Sequence, residues 1–131
     1  MLIAASLFVI RGSAQVVVIA NPSIKASDVS KGDLREVFSG ASSSLKDGSH
    51  VIPVLLKQGP AYDTFLTEYI GKSDAAFKAS WRSLVFSGQG SMPKTVDSDA
   101  AMIEYVGHTA GALGFVGKAS AAEGVKTLSV R

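Results

Sequence analysis

The sequence predicts an α/β domain, a mixed sheet flanked by helices, on three observations. Short β-branched or apolar runs at Val16–Ala20, Val51–Leu56, Leu113–Val116 and Val125–Val130 alternate with stretches whose apolar residues recur every three or four positions. Gly, Pro and Asn stand at the joints between them. The chain has 131 residues, 47% of them hydrophobic and 18% charged, which suits one core burying roughly two thirds of the unfolded surface. A glycine-rich turn, an amphipathic helix and a Gly-flanked apolar strand fill Phe86–Val116 in that order. Two further loop-helix-strand units are expected at Val16–Phe38 and Val51–Ile70.

Each element has its own local reason. Val16–Ala20 is a β-branched run ended by Asn21-Pro22, the pattern of a strand buried on both faces. Ser30 with Asp33 three positions on resembles a capping box, and Leu34, Val37 and Phe38 supply an inward stripe; that helix should stop at Gly40. Ala41–Ser49 is serine-rich, contains Asp47-Gly48 and reads as a loop. In the strand Val51–Leu56, Pro53 marks an irregularity or a sheet edge. Pro60 opens a helix to Ile70, capped by Gly71. A helix over Ala75–Phe86 places Phe77, Trp81, Leu84 and Val85 on one side, and Trp81, Phe77 and Phe86 are expected in the core. Asp97 and Ser98 open a fourth helix with Met102, Ile103 and Val106 inward.

Composition excludes several kinds of chemistry. The chain has no cysteine and only two histidines, so thiolate metal sites and disulfides are ruled out. His50 and His108 belong to no ligand spacing of the H-x-x-x-H kind. Ser39-Gly40 and Ser87-Gly88 lack the frame of a nucleophile elbow. Asp97 and Asp99 would diverge by about 200° on a helix, which prevents paired acid and base work. The reading is a protein without catalysis, metal or cofactor. Thirteen Lys plus Arg against eleven Asp plus Glu give a net charge of +2 with no basic run, which argues against nucleic acid as a partner.

The first residues differ from the rest. Leu2–Ile10 is apolar apart from Ser6, and Arg11 and Gly12-Ser13-Ala14 follow. Nine residues fall short of the about 20 that span a bilayer. The run suits the apolar region of an export signal, residues 1–14, cleaved after Ala14 and leaving a domain over 15–131 in the periplasm or outside the cell. The alternative is a buried first strand or helix of a cytoplasmic protein.

Five motifs occur in register: Asp33-Leu34-Arg35-Glu36-Val37-Phe38-Ser39-Gly40, Val51-Ile52-Pro53-Val54, the isolated Trp81, Ser87-Gly88-Gln89-Gly90, and Gly111-Ala112-Leu113-Gly114-Phe115-Val116. In order and spacing the chain resembles, over about Val16–Val116, the phosphate-binding proteins of ABC transporters, which read "L-x-x-I-F-x-G-K", "V-P-V-x-R", a Trp, a Gly-rich loop and "P-G-A-I-G-Y-V". The resemblance implies one lobe of a type II periplasmic-binding fold, in which two α/β lobes close over a ligand. It implies phosphate or a related small oxyanion as ligand and an ABC permease as partner. A second copy of the chain is a candidate to complete the cleft.

The family's anion loop, R-x-D-G-S-G-T, corresponds here to Leu56-Lys57-Gln58-Gly59-Pro60-Ala61-Tyr62-Asp63-Thr64. Gly59 is retained, Leu56 falls where the Arg belongs, Gln58 replaces the acidic residue, and the serine is deleted. A helix N-terminus offers unpaired N–H groups and partial positive charge to an anion. Lys57, Gly59 and Pro60 are therefore the candidate ligand groups, with Ser39 and Gly40 as further lining and Gly88-Gln89-Gly90-Ser91 as a backbone nest. Each has a plainer reading: Gly59-Pro60 as a turn into a helix, Lys57 as a solvated charge, Ser39-Gly40 as a helix C-cap. The expected function is oxyanion capture without catalysis; the alternative is an interaction or sensory module that keeps the fold and has lost the phosphate site.

Overall fold

The computed structural model describes residues 16–117 and 124–131. The expected export signal, residues 1–14, lies outside the described residues. The elements run β1 (Val16–Ala20), β2 (Asp28–Val29), α1 (Lys31–Phe38), β3 (Ile52–Leu56), α2 (Pro60–Phe65) with a π-helical turn (Leu66–Ile70), α3 (Asp74–Phe86), β4 (Lys94–Val96), α4 (Asp99–His108), β5 (Ala112–Gly117) and β6 (Lys126–Val130). Among the described residues the strands form one six-stranded sheet in the order β2-β6-β1-β5-β3-β4. β1 runs antiparallel to β5 and β6, and the remaining pairs are parallel. The mixed α/β sheet is thus the predicted fold class.

Successive strand residues point to opposite faces, and β5 shows what each face carries. Phe115 stacks on Phe65 of α2 with ring centroids 4.0 Å apart and meets Phe38 of α1 edge-on at 6.3 Å. Its neighbour Gly114 lies against α4, where an added Cβ would come within 2.6 Å of Met102 Sδ. A glycine here lets α4 lie close on the sheet. The buried Asn21 joins β1 to the same helix: its Nδ2 donates to the carbonyls of Val106 (2.8 Å) and Gly107 (3.2 Å), and its Oδ1 accepts from the Ser23 N–H. The residue read as a strand terminator therefore also serves the carbonyl end of α4.

Most elements form for the reasons read from the sequence. Ser30 Oγ accepts from the Asp33 N–H (3.0 Å), Gly40 adopts φ 85°, and Gly71 ends the second helix at φ 77°. Pro53 sits inside the sheet, yet at a place where its missing donor costs little. Ile52 and Pro53 pair with β5, while pairing with β4 begins only at Val54.

Three expectations change. The units at Val16–Phe38 and Val51–Ile70 run strand first and helix second. β2 and β4 form where no strand is predicted, because runs of two and three residues are too short to show a period. Phe77 and Trp81 are buried, but Phe86 is 95% exposed and Val85 43%. At about 100° per residue Phe86 lies about 180° around the helix from Phe77, so one face cannot hold both.

Candidate functional site

Because β2, β3, β4, β5 and β6 run in one direction, their C-terminal ends share one edge of the sheet, and α1, α2 and α4 begin there after Val29, Leu56 and Val96. Open α/β sheets bind ligands outside such strand ends. The three helix starts differ in what serves their free N–H groups. α1 has Ser30 and also donates from the Lys31 N–H to the Arg131 carbonyl (3.0 Å). α4 has Ser98, whose Oγ accepts from Ala101 N–H at 3.1 Å, and the Asp99 carboxylate accepts from the Gly117 N–H. α2 starts at Gly59, which has no side chain to cap with, and Pro60, which has no N–H. The N–H groups of Ala61 and Tyr62 have no hydrogen-bond partner among the described residues.

Lys57 is exposed at the end of β3, and its backbone N–H donates to the Val96 carbonyl (2.9 Å), fixing the loop to the end of β4. Beside it lies a cleft of about 290 Å³ whose polar lining is Lys57, Gln58, Tyr62, Lys78 and Thr95. Lys78 contacts Asp74 at 3.3 Å, and the Tyr62 hydroxyl donates to Asp74 at 2.7 Å. That hydrogen bond, with Lys78 adding to it, holds the Asp74 carboxyl below its usual range, while burial and the same bond push the Tyr62 hydroxyl well up. Asp74 thus offsets part of the charge of Lys78, and of the two lysines lining the cleft Lys57 is the one without an ion pair among the described residues. Asp63 is exposed in the first turn of α2 and works against an anion there.

The five candidate residues fall into two groups. Lys57, Gly59 and Pro60 are together at the strand-end edge. Ser39 and Gly40 follow α1 and lie at the opposite end of β3, which at about 3.3 Å per residue is roughly 16 Å away. Ser39 Oγ donates back to the Arg35 carbonyl, and Gly40 is held against Trp81 and Leu84. Their geometry is that of a helix C-cap, and they do not line the cleft of Lys57. The glycine-rich turn is likewise a helix end: the N–H groups of Gly88 and Gln89 donate to the carbonyls of Val85 and Leu84, so they are not free to form an anion nest. Sequence reasoning missed Lys78 and Thr95, which reach the cleft only through the packing of α3 and β4. His108 Nδ1 bonds the Glu104 carbonyl (2.9 Å), and among the described residues no group of three His, Asp or Glu could hold a metal ion.

No protein-family pattern matches the chain, and no curated protein does. Solved structures match it. An ABC-type phosphate transport receptor from Vibrio cholerae superposes with a TM-score of 0.67 at 15% identity, over 92% of this chain and 51% of that one. PstS from Borrelia burgdorferi gives 0.66 at 17% identity, over 90% and 47%. A protein from Clostridium perfringens solved with bound phosphate gives 0.68 at 13% identity, over 89% and 45%. The chain spans about half the length of the structures it matches. It shares, over that half, the α/β fold of the phosphate ABC transporter substrate-binding proteins.

Proposed function

We propose that this domain captures phosphate or a related small oxyanion, without transforming it, at the strand-end edge where Lys57, Gly59 and Pro60 meet. The observation that carries the reading is the open start of α2. Two N–H groups and a lysine, all without partners among the described residues, meet at the same edge, in a fold shared with phosphate receptors. Donors at a helix start and a nearby cation both favour an anion. A lysine supplies a mobile point charge and lacks the two-pronged fork of arginine, so affinity should be modest. The proposal extends to an exported protein, cleaved after Ala14, that delivers its ligand to an ABC permease, with a second α/β unit or a second copy closing the cleft. No helix among the described residues is long and apolar enough to cross a membrane. Titration calorimetry with phosphate and with sulfate tests the reading: a saturable heat that shrinks with added salt supports it, and no heat at millimolar anion removes it.

One observation favours the second reading, an interaction or sensory module. Val85, Phe86 and Met92 are exposed side by side around a groove of about 510 Å³ bordered by Arg82. A cluster of exposed large apolar groups is a common mark of a contact surface. That reading replaces the first if neither anion binds.

A further inference from the structure

We infer that a second cleft, at the end of β3 away from Lys57, binds an uncharged, hydroxyl-rich ligand the size of one monosaccharide or cyclic polyol ring. The cleft holds about 300 Å³ and is formed where the loop after α1 faces the turn after α3. Its volume is at the small end of ligand pockets, enough for one ring and not for a chain of them.

The lining sets the ligand's chemistry. Ser43, Gln89 and Ser91 line it, and their side chains make no hydrogen bond among the described residues, whereas the Ser42 hydroxyl is occupied with Ser44. Trp81 contributes carbon surface only, because its Nε1 donates to the Phe38 carbonyl at 2.8 Å. The glycines keep the walls close: a Cβ at Gly90 would stand 3.7 Å from the Trp81 ring, and one at Gly40 would overlap Leu84. Among the described residues, no Lys, Arg, His, Asp or Glu lines the cleft. A charged ligand would lose water without gaining a partner, and an apolar one would leave the hydroxyls and the amide unpaired. A sugar or polyol ring satisfies both demands, with hydroxyls on Ser43, Gln89 and Ser91 and C–H groups against Pro53, Leu84 and the exposed edge of the otherwise buried Trp81 ring.

Trp81 is the chain's only tryptophan, so its fluorescence reports on this cleft. The intact protein is titrated with D-glucose, D-galactose and myo-inositol, and separately with phosphate. The expected result is a saturable millimolar change in Trp81 emission with at least one of the three, absent with phosphate. Gln89→Ala and Ser91→Ala should each weaken it about fivefold, the loss of one neutral hydrogen bond. Both positions are exposed, so the variants should fold, and circular dichroism confirms it. Amide NMR shifts during the same titration should be confined to Ser43 and Gln89–Ser91. The inference is overturned if none of the three saturates, if both variants bind as the wild type does, or if the shifts fall elsewhere.

Discussion

Replacing Trp81 by alanine should cost more stability than any surface change, and the structure gives the size of the loss. Trp81 is 5% exposed on α3 and reaches across to the end of α1, where its Nε1 donates to the Phe38 carbonyl at 2.8 Å. Truncation removes the ring from a packed site and leaves a cavity that neighbours fill only in part, about 3–5 kcal/mol. Domains of this size hold about 5–15 kcal/mol in all, so the variant should sit near the edge of folding, with a melting point lower by about 10–20 °C. Trp81→Phe separates the two effects. It keeps most of the packing but leaves the Phe38 carbonyl without its donor, and should lose about 1–3 kcal/mol. Because Trp81 is the sole tryptophan, the assay is urea unfolding followed by far-ultraviolet circular dichroism. A loss under about 1 kcal/mol for Trp81→Ala, with unchanged slope, would refute the placement of this residue between α3 and α1.

Other outcomes follow from the same geometry. Gly114→Ala should destabilise by about 1–3 kcal/mol, because the new methyl enters the space of Met102 and Val106; an unchanged urea midpoint would mean that α4 does not lie on β5 there. Asp74 has its pKa lowered chiefly by the Tyr62 hydroxyl, so its contribution to stability is present above the ordinary aspartate value of about 4 and is lost as pH falls through the depressed value. Tyr62 has its pKa raised, so its contribution is full below about 10 and is lost as the pH rises beyond. Tyr62→Phe should move the NMR titration of Asp74 upward, and identical curves in the two proteins would rule out the hydrogen bond as the cause. For export, mass spectrometry of protein from the cell envelope should find the mature chain beginning at Gln15, whereas an intact Met1 on a cytoplasmic product ends that proposal.

The sequence was most legible where a local signal and the tertiary demand agree. Val16–Ala20, Ser30, Pro60, Gly71 and the Phe77–Trp81 pair each carry their reason within a few neighbours, and each has its expected place. β2 and β4 carried no such signal, since they are strands only because β6 and β3 lie beside them. Phe86 misleads because an aromatic residue near the end of an amphipathic run suggests burial, whereas nine residues along α3 put it on the face opposite Phe77, which meets Tyr62 of α2 edge-on. At the candidate site, Lys57, Gly59 and Pro60 are consecutive or nearly so, and one loop keeps them together. Ser39 and Gly40 precede them by a whole loop and strand, and no sequence signal tells that they end up on the opposite edge. Lys78 and Thr95 arrive from elements whose packing alone brings them to the cleft.

The central claim is that an oxyanion binds at the open start of α2, and amide NMR during a phosphate titration tests it most directly. The account predicts saturable shifts at Gly59, Ala61 and Tyr62. Lys57→Ala should weaken binding by about 1–3 kcal/mol through loss of a charge-assisted bond. Gly59→Val should weaken it further by blocking approach to the backbone. The valine should leave the fold intact, since a Cβ there meets nothing nearer than the Lys57 carbonyl at 3.9 Å. Absence of shifts at millimolar phosphate, or shifts confined to Gly88–Ser91, would contradict the account.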